Sequence, residues 1–125
     1  MGLDQYLFKR RKGSSGDDEE LMYWRKANQI REWFVTNTDY PSSANCEEHV
    51  VTKEQLQKLV DDCKAALDTP NTADDVMPRS DGFFFGSQEY DEWYFKDLKN
   101  TIDAVQHAID DTDFDTEEVF YYEWW

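Results

Sequence analysis

Tyr94, Leu98, Ile102, Val105 and Ile109 step along the chain by four, four, three and four residues. That spacing is a single apolar stripe on an α-helix, and it constrains the fold more than any other feature of the sequence. Ser87 stands as an N-cap before it. Glu89, Asp91 and Glu92 follow in the first turns, where acidic side chains favour the positive end of the helix dipole. A helix over 87–110 rises about 1.5 Å per residue and spans roughly 33 Å, enough to cross a small domain. Three phenylalanines, at positions 83, 84 and 85, lead into it as a buried strand or an apolar plug.

Two further seams read as helices. Thr52 and Gln55 form a capping box ahead of Leu56, Leu59, Val60, Cys63, Ala66 and Leu67, which predicts a helix over 53–68. Tyr23, Ala27, Ile30 and Phe34, widened by Trp24 and Trp33, predict another over 18–37, opened by Asp17, Asp18, Glu19 and Glu20. Residues 49–51 read as a short strand or as the entry into the middle helix.

Both ends of the chain favour strands. Residues 3–9 are short, aromatic and aliphatic, and 118–124 are richer still in β-prone side chains. In the tail, Phe120, Tyr122 and Trp124 fall on one face, and Tyr121 and Trp125 on the other. A strand apolar on both faces requires burial on both faces or a partner. The expected architecture is α+β in two layers: three helices packed on a small antiparallel sheet formed by the N- and C-terminal strands. One compact domain over 1–125 is expected, with flexible loops near 12–17, 37–48 and 69–81.

The chain carries a net charge of −15. Residues 1–36 hold seven basic and six acidic side chains, whereas 37–125 hold six basic and twenty-two acidic. Such a surface argues against direct binding of nucleic acid or an anionic membrane, and suits a solvated protein that acts alone, a partner with a basic groove, or a cation-binding surface. With no signal peptide and no run of 18 apolar residues, the expected location is the cytoplasm. The basic run at 9–12 reads as a charged strand end that blocks edge pairing, because the acidic remainder opposes a phosphate site.

The chemistry-bearing residues form no catalytic pattern. Cys46, His49, Cys63 and His107 lack the second tight pair of a structural zinc site and read as core or surface residues. Asp111, Asp113 and Asp115 resemble the opening of a calcium loop, but Thr116 replaces its glycine and Tyr122 its final glutamate, which rules out an EF-hand. Phosphate loops, GxSxG elbows and HExxH pairs are missing from the sequence. An enzyme is therefore not expected, and no cofactor or metal is assigned. A run of carboxylates remains: Asp110, Asp111, Asp113, Asp115, Glu117 and Glu118 have no basic residue among them, and Asp103 precedes them on the long helix. Extended, alternate members would lie about 7 Å apart and could imitate a nucleic-acid backbone. The plainer reading is a solvated acidic loop.

Met1-Gly2-Leu3-Asp4-Gln5-Tyr6-Leu7, the segment Tyr23-Trp24-Arg25-Lys26-Ala27-Asn28-Gln29-Ile30 with Trp33-Phe34-Val35, and Gly82-Phe83-Phe84-Phe85-Gly86-Ser87 with Tyr90-Asp91, together with the aromatic C-terminus, resemble a family of small uncharacterised bacteriophage and prophage proteins. The resemblance implies phage origin and action in the bacterial cytoplasm, and it carries no catalytic residues. The leading expectation is an inhibitor or decoy that binds a host defence nuclease, such as a CRISPR effector or restriction enzyme, through Asp103, Asp110, Asp111, Asp113, Asp115, Glu117 and Glu118. The alternatives are a homo-oligomer, a homodimer for instance, joined through Phe120, Tyr121, Tyr122, Trp124 and Trp125, and a small-ligand binder that stacks a base on Trp24, Trp33 and the phenylalanine triplet.

Overall fold

Gln5 and Leu7 are buried while Asp4, Tyr6 and Phe8 are not, and this period of two forms the first strand (β1, Asp4–Arg11). The computed structural model describes residues 3–13, 18–41, 45–79 and 90–125. The phenylalanine triplet and Ser87, with parts of the three expected loops, lie outside the described residues. Gly13, at φ +79°, follows β1, a backbone conformation that side-chain-bearing residues rarely adopt. The second strand (β2, Glu19–Arg25) pairs antiparallel with β1 and is offset by a bulge at Leu7 and Phe8.

Here the structure corrects the expected helix over 18–37. Its first third is β2, and the helix itself (α1) spans only Asn28–Asn37. Glu19 lies 3.8 Å from Lys9 and opens no helix, while Tyr23 faces solvent. Lys26, at φ +55°, separates strand from helix. Strand pairing and the burial of Trp24 outweigh the acidic helix-start signal; Ala27, Ile30 and Phe34 keep the seam from 27 onward. In place of a side-chain cap on α1, Gln5 brackets the peptide of Ala27, accepting from its N–H at 2.9 Å and donating to its carbonyl at 3.0 Å.

A short strand (β3, His49–Val51) runs directly into α2 (Lys53–Asp68) through the expected capping box. Thr52 accepts from the Gln55 N–H at 3.1 Å, and Gln55 accepts from the Thr52 N–H at 2.9 Å. A 3-10 turn (Pro70–Thr72) and a one-turn helix (α3, Ala73–Val76) follow. The long helix (α4, Glu92–Asp111) starts later than expected, capped by Asp91, whose carboxylate accepts from the Tyr94 N–H at 3.1 Å. Its buried stripe is Tyr94, Leu98, Thr101, Val105, Ala108 and Ile109, and Ile102 is only half-buried.

The last strand (β4, Glu117–Trp124) pairs along its full length with β1, as expected of the two ends of the chain. The sheet holds four antiparallel strands in the order β2-β1-β4-β3, two more than expected. Helices cover one face, where Phe34 of α1 stacks on Tyr121 at 3.9 Å and the Trp24 indole donates to Thr101 of α4 at 2.8 Å. α2 packs along α4 in the same layer. The fold is thus α+β, with one aromatic core between sheet and helices. Among the described residues no helix is long and apolar enough to cross a membrane.

Candidate functional site

The acidic run does not form an extended strand. Asp110 and Asp111 close α4, residues 112–116 make a turn, and Glu117 and Glu118 open β4. The turn is tied by local bonds. The Asp113 carbonyl accepts from the N–H groups of Thr116 (3.0 Å) and Glu117 (2.7 Å), and its carboxylate accepts from the Asp115 N–H at 3.0 Å. Phe114 anchors the turn against the core and leaves Asp113 and Asp115 in solvent on either side of it.

Two of the seven expected acidic residues stand beside a cation that each shares with a second carboxylate. Glu118 accepts from Arg10 Nε at 3.1 Å, and Glu117 lies 3.9 Å from Lys9 Nζ. Of the basic run at 9–12, Lys9 sits between β2 and β4, Arg10 and Arg11 pair with β4 alone, and Lys12 lies beyond the end of β1. Arg10 also pairs with Glu48 at 2.9 Å. Arg10 and Glu118 are 108 positions apart in the sequence, and the β1–β4 pairing sets them opposite each other.

The remaining five, Asp103, Asp110, Asp111, Asp113 and Asp115, are exposed. Among the described residues none of their carboxylates lies within 4 Å of a lysine or arginine. Asp110 accepts from Gln106 at 3.2 Å, and Asp111 lies 4.0 Å from His107 Nε2. They gather at one end of the molecule, along the last turns of α4 and the turn after it. No basic residue of α4 stands in its last turn. Lys9 reaches this helix end only through the backbone carbonyl of Asp111, at 3.5 Å.

The C-terminal tail splits between two environments. Tyr121 and Glu123 face the helices and are fully buried. The Tyr121 hydroxyl donates to Glu123 at 2.8 Å and accepts from Gln5 at 3.0 Å, and burial raises its pKa well above that of an ordinary tyrosine. Trp125 donates its indole N–H to Glu123 at 2.9 Å and exchanges two bonds with Asn45. Tyr122 and Trp124 point outward, and Phe120 on the same side is roofed by the Arg10 guanidinium at 4.3 Å from its ring centre. β4 is an inner strand with neighbours on both sides, so the tail offers no free edge over 119–121.

The cysteines and histidines lie apart. Cys46 and His107 are exposed, His49 packs edge-on to Tyr40, and Cys63 is buried on α2, where desolvation pushes its thiol up to about 12. Among the described residues no three such groups or carboxylates are placed to hold a metal. Trp24 and Trp33 are core residues tied to Thr101 and Asp62, so neither presents a face to a stacking ligand.

Of the outer-face partners of the tail, Tyr23 was assigned by its spacing to a buried helical seam, and Tyr6, Phe8 and Val50 were given no role in the sequence. The alternation of Tyr6 and Phe8 against Gln5 and Leu7 was a legible signal for two of them. Comparison with family models, curated proteins and solved structures finds no match to this chain.

Proposed function

We propose that this chain is a non-catalytic binding protein of phage origin that docks its acidic end into the basic nucleic-acid groove of a host defence protein in the bacterial cytoplasm. The observation that carries this reading is the placement of Asp110 and Asp111 in the last turn of α4, followed at once by exposed Asp113 and Asp115. A helix C-terminus already bears partial negative charge, so each such carboxylate costs about 0.3–1 kcal/mol near it. Folding gains from that arrangement only the exposed Gln106–Asp110 and His107–Asp111 contacts; the local rule is broken in favour of a concentrated negative field. A groove lined with lysine and arginine would meet that field as it meets phosphates. The resemblance to small phage proteins supplies the cellular setting.

The test is phage survival on hosts that carry different nuclease-based defences, with the wild-type protein or the variant Asp111→Lys, Asp113→Lys, Asp115→Lys. The wild type is expected to protect the phage on at least one host and the variant to lose protection while its melting curve stays cooperative. A folded variant that protects fully removes this end of the molecule from the mechanism.

A further inference from the structure

The register of the sheet sets the side chains of its outer face in rows. Tyr23, Tyr6 and Tyr122 lie in one row across β2, β1 and β4, and Glu20, Phe8, Phe120 and Val50 lie in the next across β2, β1, β4 and β3. Arg25, Asp4 and Trp124 form the row on one side, and Arg10 and Glu118 the row on the other. Among the described residues the rings of this face meet one another: Tyr6 contacts Phe8 at 5.4 Å, Tyr23 at 5.2 Å and Tyr122 at 6.2 Å, and Phe8 contacts Phe120 at 5.4 Å. Much apolar surface stays open, with Tyr23 41 %, Val50 49 % and Trp124 57 % exposed. Three of the five large apolar side chains most exposed among the described residues therefore share one face.

We infer that this face is a contact between two copies of the chain. Charge decides the occupant. The whole chain carries −15, so two copies repel over most of their surface, yet on this face Arg25 and Arg10 offset Asp4 and Glu118. With Glu20 in the Phe8 row and Glu48 sharing Arg10 with Glu118, the face sets two arginines against four carboxylates and carries only −2 of the total of −15. The face is also complementary to itself. A twofold axis along the strands sets Arg10 over Glu118 of the second copy and Tyr6 over its Tyr122. An axis across the strands sets Asp4 over the second copy's Arg10. A phosphate-bearing partner would meet no net positive charge here.

Size sets the strength. The two inner strands are eight residues long. At about 3.3 Å per residue and roughly 4.8 Å between strands, the four-stranded face covers on the order of 500 Å². Twice that is at the low end of specific interfaces, so the dimer is weak and depends on concentration.

Sedimentation equilibrium from low to several hundred micromolar tests this. The mass is expected to rise from one chain toward two. The variant Tyr23→Glu with Trp124→Glu is expected to lose association by at least tenfold while keeping the wild-type circular dichroism. Val50→Glu, on the opposite edge, gives a second variant should the first fail to fold. Asp111→Lys, Asp113→Lys, Asp115→Lys is expected to dimerise as the wild type or better, which separates this face from the acidic end. A wild type that stays monomeric at every concentration overturns the proposal, whatever other protein covers the face. So does a folded outer-face variant that still dimerises.

Discussion

Arg31 Nε stands 2.6 Å from the Glu123 carboxylate, and both side chains are closed off from water, at 4 % and 0 % exposure. The pair ties α1 to the end of β4, and Tyr121 and Trp125 add hydrogen bonds to the same carboxylate. Two charges withdrawn from water are tolerable only together. Arg31→Met is expected to destabilise the protein by about 3–5 kcal/mol, because it leaves Glu123 buried without its cation. Urea denaturation measures this, and the double variant Arg31→Met, Glu123→Leu should recover most of the loss.

Acidity acts on the same pair. Burial raises the Glu123 carboxyl above its ordinary value, although Tyr121, Arg31 and Trp125 pull it back. A carboxyl whose folded value exceeds its unfolded value takes up its proton first in the folded chain. The penalty for keeping it ionised is then present at neutral pH and fades as pH falls through the folded value toward the ordinary range near ~4.3. Compared with Glu123→Gln, the wild type is therefore expected to gain stability on acidification across that window. Paired urea midpoints at a series of pH values check the sign, and a relative loss for the wild type would contradict it.

The long helix offers a graded test of packing. Leu98 is wholly buried, and Ile102, one turn on, is only half-buried. Leu98→Ala is expected to cost about 2–5 kcal/mol and Ile102→Ala clearly less, with thermal denaturation as the measurement. A reversed order would place the other face of α4 inside.

Thr52 is the single residue between β3 and α2, and it caps the helix. Thr52→Ala removes half of the capping box and is expected to cost about 1 kcal/mol, read from the same denaturation curves. A neutral substitution would show that packing alone holds that junction.

What the sequence made legible follows its periodicities. The seam and capping box of α2 predict its bounds, and the two aromatic ends predict the β1–β4 pair, because both signals are local and unopposed. β2 was hidden by a coincidence of spacing: Tyr23 sits four residues before Ala27 and matched the helical seam, but it belongs to a hairpin whose pairing is settled by β1. The pairing of Glu117 and Glu118 with Lys9 and Arg10 was invisible for the same reason, since strand register brings them together. The acidic end was legible as composition; its position at a helix C-terminus depended on where α4 stops.

The most direct measurement is capture of host proteins on the immobilised chain, followed by elution with rising salt or with duplex DNA. A nucleic-acid-processing protein is expected, held through exposed charges that are screened beyond about 8–10 Å at physiological ionic strength. Both salt and DNA should release it, and Asp103→Lys, Asp110→Lys, Asp111→Lys, which spares the hydrogen bonds of the Asp113 turn, should fail to capture it. Retention of the same protein by that variant, or a complex that DNA does not displace, would contradict the claim that the acidic end occupies a nucleic-acid groove.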